Sequence, residues 1–203
     1  MIKDFKVGFL ASLGYEGMSI EQVTESLARI GYDAVELNLS HLNPDVNVSE
    51  LAKIVAYVRQ NGLEISEVIV QKDLIVLDPE ERKKNLSIIK NSIRKFSQAG
   101  IEIINLFSGP IPWNNKPLVI NRDITLGEAW NMLFSAFDEL VPLAEENNIT
   151  LAVENVWGML VHDFFTAKFL LNHYNSRNLG INYDPSHDIL QGFTDVGWII
   201  RNW

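Results

Sequence analysis

One phrase recurs five times along the chain, and it limits the fold more than any other feature. Gly31-Tyr32-Asp33 leads into Ala34 to Leu37, Gly62-Leu63-Glu64 into Ile65 to Val70, and Gly100-Ile101-Glu102 into Ile103 to Phe107. Asn148-Ile149-Thr150 leads into Leu151 to Val153, and Asn178-Leu179-Gly180 into Ile181 to Tyr183. Each Gly or Asn follows a helical pattern, where a left-handed residue closes a helix, and each is followed by a short β-rich run. The runs are almost continuously apolar, as parallel strands covered on both faces must be.

Amphipathic helices fill the intervals. Ser19 to Gln22 has the Ser-x-x-Gln form of a capping box, with Val23, Leu27 and Ile30 on one face. Further helices are expected from Val48 to Gln60, from Pro79 to about Ala99, from Thr125 to Asn147 with a kink or break at Pro142, and from Phe164 to Tyr174. A sixth helix begins near Thr194. With Phe5 to Leu10 as the first strand, six strands alternate with helices, which predicts an α/β protein with a parallel sheet. After strand one the chain reads Ala11-Ser12-Leu13-Gly14-Tyr15-Glu16-Gly17, which is neither a dinucleotide-binding turn nor a P-loop. A barrel is therefore favoured over a doubly wound sheet.

Composition narrows the chemistry by exclusion. The chain has 203 residues, no cysteine and a net charge of −9, with a pI near 4.9. Thiolate metal sites, disulfides and cysteine nucleophiles are absent. The basic surface that a nucleic-acid binder needs is missing too. Lys3 and Lys6 precede the apolar run Val7 to Leu13, but the run is short and Asp4 interrupts the basic flank, so a buried strand explains it better than a signal peptide. No stretch is long and apolar enough to span a bilayer. A cytoplasmic protein with a small-molecule ligand is expected, with no nucleic-acid or membrane partner.

In a (β/α)₈ barrel the active site lies at the C-terminal ends of the strands. Strand two offers Glu36 and Asn38 on one pleat face, with His41 beyond them. Strand five ends in Val153-Glu154-Asn155, and strand six in Tyr183-Asp184-Pro185-Ser186-His187. Two carboxylates at adjacent strand ends, with an imidazole three residues after the second, suit a divalent metal. Oxygen ligands favour Mg²⁺ or Mn²⁺, and an added imidazole admits Zn²⁺ or Co²⁺. Each residue also has a plain structural reading. Glu154 could pair with a surface cation, Asp184 could cap a helix, and His187 could be a packed histidine. Trp113, Trp157 and His162 fall on loops after strands four and five and could line a sugar pocket, although core packing suits the two tryptophans equally well. The long connection from Ser108 to Asp123 is the kind that often carries function.

The phrases Gly31-Tyr-Asp-Ala-Val-Glu-Leu, Leu151-Ala-Val-Glu-Asn and Asn182-Tyr-Asp-Pro-Ser-His resemble the xylose-isomerase-like TIM-barrel superfamily of sugar phosphate isomerases and epimerases. The resemblance runs the whole length of the chain. It implies that Glu154 and Asp184 are metal ligands, that Glu154 doubles as catalytic base, and that His187 touches substrate or metal. Asn155, Glu36, Trp113 and His162 are the further residues expected to bind substrate. The superfamily's epimerases take two more ligands from strands seven and eight, which are expected to lie beyond Trp203. Residues 1–203 are thus expected to form a single barrel domain, incomplete at its C-terminus, or one completed by a second copy. Where ketose 3-epimerases carry a second Glu, this chain has Leu160.

The chemistry such a site implies is proton transfer on a sugar, sugar phosphate or related polyol through an enediolate. Return of the proton to the opposite face gives an epimer, and transfer to the neighbouring carbon gives an isomer. A non-catalytic barrel that serves binding or assembly is the alternative. An inosose-type dehydratase and an endonuclease IV-like nuclease stand behind it.

Overall fold

The structure is a computed structural model that describes residues 5–15, 17–193 and 195–203. Lys3, Asp4, Glu16 and Thr194, invoked above, lie outside the described residues. The strands are β1 (Gly8–Leu10), β2 (Ala34–Asn38), β3 (Glu64–Val70), β4 (Ile103–Leu106), β5 (Thr150–Glu154) and β6 (Leu179–Asn182). The helices are α1 (Ile20–Ile30), α2 (Val48–Gln60), α3 (Pro79–Ala99), α4 (Leu126–Asn147), α5 (Phe164–Tyr174), α6 (Pro185–Leu190) and α7 (Val196–Asn202). The six strands pair in parallel and in sequential order, β1-β2-β3-β4-β5-β6. Among the described residues no helix is long and apolar enough to cross a membrane.

The sheet is curled. Asn182 on β6 donates from Nδ2 to Glu67 Oε1 on β3 at 2.9 Å. Three strand spacings in a flat sheet would hold these residues about 14 Å apart. Only a barrel wall brings them into contact, with side chains from non-adjacent strands meeting inside.

Strand alternation divides the residues between two environments. Val35, Leu37, Val68, Val70, Ile104, Leu106, Leu151 and Val153 are buried in the core under the helices. The opposite phase points inward and carries Glu36, Glu67, Asn105, Glu154 and Asn182. A bulge sets the register of β3. Val35 pairs with Ile65, but the next partners are Glu36 and Glu67, so Ser66 is the extra residue. Alternation from Val68 and Val70 leaves Glu67 inward, and the bulge sets it beside Glu36.

The caps hold largely as read. Ser19 and Gln22 form the expected capping box, and Gly31, Gly100 and Asn148 adopt left-handed C-cap conformations. Four details differ. Asn175, not Asn178, is the left-handed residue that closes α5. Strand β1 is only Gly8–Leu10, and Phe5 is 81% exposed, because β1 has a partner on one side alone. Helix α4 runs unbroken through Pro142. An additional short helix, α6, follows β6 immediately, since Asp184 caps it and Pro185 fits its first turn.

Candidate active site at the C-terminal face of the barrel

The residues that end β5 and β6 converge at the mouth of the barrel. His187 Nε2 lies 3.5 Å from Glu154 Oε1 and 3.5 Å from Asp184 Oδ2. One ligand atom from each of the three lies within 4.8 Å of the others. Glu154 arrives on the last residue of β5. Asp184 and His187 arrive together because Asp184 caps α6 and His187 sits one turn later on the same face. Asp184 is therefore a helix cap that still presents an oxygen to the trio. Its Oδ1 accepts from Ser186 N at 2.7 Å, while its Oδ2 faces the histidine.

A metal fits this trio. Two ligand atoms at ordinary bond lengths of about 2.0–2.2 Å, at right or tetrahedral angles, stand roughly 3.0–3.5 Å apart. That is the spacing found between the imidazole and each carboxylate. The charge balance agrees. Glu36, Glu67, Glu154 and Asp184 all face the interior, and among the described residues no Lys or Arg forms an ion pair with any of them. Burial raises the Glu154 carboxyl above its usual range, with Asn105 and His187 acting against that rise.

Beneath the mouth lies a second acidic group. Glu36 and Glu67 are paired across β2 and β3, and burial followed by the Glu67 charge pushes Glu36 up to about 8. Glu36 thus holds a proton at neutral pH and donates it to Glu67. Glu67 Oε1 also accepts from Asn105 Nδ2 at 3.0 Å and from Asn182 Nδ2 at 2.9 Å. The same Asn105 amide donates to Glu154 Oε2 at 2.9 Å. Glu67 and Asn105 were not expected from the sequence, because each lies within a run read as a uniformly apolar strand. A polar residue at alternate positions of such a run was the available signal.

The remaining expected site residues separate. Asn155 is buried, and its side chain is occupied by the Asp184 backbone, donating to the carbonyl at 2.9 Å and accepting from the N–H at 2.7 Å. It ties the end of β5 to the segment that leads into α6. Trp113 is 53% exposed, packs edge-on against Phe107 and lies 6.4 Å from Trp157, so both tryptophans are partly exposed on the loops after β4 and β5. His162 keeps its Nδ1 proton on the Met159 and Leu160 carbonyls and turns toward a groove of about 610 Å³ that Trp130 and Gln191 also line. His41 accepts from Asn38 N through Nδ1 and takes a local structural role. Leu160, where the resemblance implied that ketose 3-epimerases carry a second carboxylate, is buried.

The connection after β4 is fastened from both sides. Asp73 accepts from Ile75 N through Oδ1 and from Ile111 N through Oδ2, and Ser108 Oγ accepts from Val161 N. Gly109, at φ +75°, passes so close that a Cβ there would sit 2.1 Å from Asp73 Oδ1. Only glycine fits.

No curated protein matches the chain. Among solved structures, D-psicose 3-epimerase crystallised in the presence of D-fructose superposes with a TM-score of 0.79 at 16% identity, over 97% of this chain and 69% of that one. The 3-keto-D-glucoside 4-epimerase YcjR from E. coli gives 0.78 at 13% identity, over 98% and 75%. The IOLI protein, solved with a bound zinc atom, gives 0.67 at 18% identity, over 87% and 62%. The chain therefore spans roughly two thirds to three quarters of the two epimerases. These likenesses concern the fold. A family model described as "Xylose isomerase-like TIM barrel" matches residues 24–197, and the chain belongs to that family.

Proposed function

We propose that the chain carries the active site of a divalent-metal sugar isomerase or epimerase. The observation that supports this best is the Glu154–Asp184–His187 trio, three donors spaced for one ion at the C-terminal face of the barrel. The epimerase folds of the structural neighbours point to the same class of substrate, a small carbohydrate.

On this reading Glu154, Asp184 and His187 hold the metal. A bound divalent cation supplies Lewis-acid polarisation of adjacent substrate oxygens. The protein's own groups do the rest. Glu154 Oε1, on the open side of its carboxylate, takes the proton from the carbon next to the substrate carbonyl. Burial raises the affinity of this carboxylate for that proton. Asp184 is held at the helix start, where its Oδ1 accepts from the Ser186 N–H. Trp113 and Trp157 offer apolar faces above the mouth, suited to the C–H surfaces of a sugar ring and to limiting water. Mn²⁺ or Mg²⁺ suits the two carboxylates, and the imidazole admits Zn²⁺ or Co²⁺.

The test is exchange of the carbon-bound proton of a ketohexose with deuterated solvent. Glu154→Gln should abolish exchange and keep the fold, because a carboxamide has the shape of the carboxylate but is no base. Metal content measured on the same samples separates loss of base from loss of ion. Wild-type exchange rates in a variant that retains its metal would move the base to another residue.

A further inference from the structure

Asn105 is the least economical residue of the barrel interior. It sits in the middle of β4, fully buried, between Ile104 and Leu106, whose side chains fill the core on the other face. Its Nδ2 group spends both hydrogens on carboxylates, Glu67 Oε1 at 3.0 Å and Glu154 Oε2 at 2.9 Å. Its Oδ1 is buried with no partner. A 180° turn of the amide would aim that oxygen at two carboxylates, so the orientation is forced even though it strands an acceptor. An apolar side chain would avoid this cost. Such a breach of local packing logic is expected where a residue serves a site.

The register shows what is served. Ile69, two residues beyond Glu67, pairs with Asn105, and Asn105 pairs with Ala152, two residues before Glu154. Glu67, Asn105 and Glu154 thus ascend the inner wall two residues at a time, from the buried acid pair to the mouth. At the base, Glu67 is itself fixed by Asn182 from β6. At the top, Glu154 Oε2 is tied to Asn105, which leaves Oε1 as the oxygen that faces His187.

We propose that Asn105 is a positioning residue for Glu154. It selects which carboxylate oxygen is presented to metal and substrate, and Glu67 acts through it as the anchor. The assignment rests on the proposed role of Glu154 for its chemical meaning, but the geometry stands without it.

Two measurements test it. In a crystal structure of Asn105→Leu, the Glu154 carboxylate should leave its single orientation, either rotating or splitting between conformers. Mn²⁺ affinity measured by calorimetry should fall about 10- to 100-fold, the usual effect of losing a partner of a metal ligand. Glu67→Gln retains a carbonyl acceptor for Asn105 and should keep affinity within about threefold of wild type, well inside that range. If Asn105→Leu does not fold, Asn105→Asp, nearly identical in shape but lacking the donors, gives the same two readouts. An unmoved Glu154 together with unchanged Mn²⁺ affinity would overturn the proposal. A wild-type protein that binds no Mn²⁺ would defeat the metal reading instead, and the Glu154 conformation in the variant crystal would still decide the role of Asn105.

Discussion

The barrel interior holds two acidic groups a few ångströms apart, and they manage their charge by opposite means. At the mouth, Glu154 and Asp184 flank the His187 imidazole at 3.5 Å each, too far for strong charge-assisted hydrogen bonds and well spaced for an ion among them. One layer down, Glu36 and Glu67 share a proton, and amide groups from β4 and β6 saturate Glu67. The lower group is closed, with its hydrogen bonds supplied from within the chain. The upper group is open, and on the proposed reading a cation from outside balances it. A buried charge must be neutralised, paired or hydrogen-bonded, and here neighbouring layers of one barrel use different entries on that list.

If this contrast is right, substitutions in the two layers fail in different ways. The largest effect is expected at the mouth. Asp184→Asn preserves the helix cap, since Asn caps as well as Asp, but removes one anionic ligand. Turnover on a ketohexose should fall on the order of a thousandfold, about 4 kcal/mol, with little change in the melting curve. A matching loss of stability would show that Asp184 works mainly as a cap.

Below the mouth the ranking should invert. Glu67→Leu removes the acceptor shared by the Asn105 and Asn182 amides, leaving Asn182 without it and Asn105 with Glu154 alone. Unfolding in urea should show a loss of roughly 1–3 kcal/mol, the cost of a donor left without its acceptor. A variant as stable as the parent would mean that water or a rearranged amide replaces the acceptor, and the lower layer would not be closed.

The smallest effect is a pH dependence. Glu36 is held near 8 in the fold, above its ordinary value of 4.5. A carboxyl raised by folding contributes stability that is present below about 4.5 and lost as the pH rises through 8. Glu36→Gln imitates the protonated form at every pH. It should match the parent at pH 5 and exceed it at pH 8 by on the order of 1 kcal/mol, a figure reduced because the group is only partly buried. Equal stability differences at both pH values would place the proton elsewhere.

Much of this arrangement could be read in the sequence, though unevenly. The helices and strands followed from caps and apolar runs, and Glu154, Asp184 and His187 stood out as candidates because strand ends in a barrel are where chemistry collects. Asn155 was expected to face a ligand, but its amide is spent on the Asp184 backbone, 29 residues away. Glu67 was hidden by the bulge at Ser66. Simple alternation back from Val68 and Val70 leaves Glu67 inward, but only the register shift after Val35 sets it opposite Glu36.

What the sequence determined by itself is what neighbours a few residues apart can enforce. A serine binds the N–H three residues on, a glycine closes a helix with positive φ, and an apolar phase turns a strand to the core. The tertiary structure decided which polar groups meet. Glu67 and Asn182 are 115 positions apart, and they touch because six strands of fixed spacing and stagger curl into one wall. Hydrogen bonds act over about 3 Å, so a contact of that kind exists only after the whole sheet has closed around it.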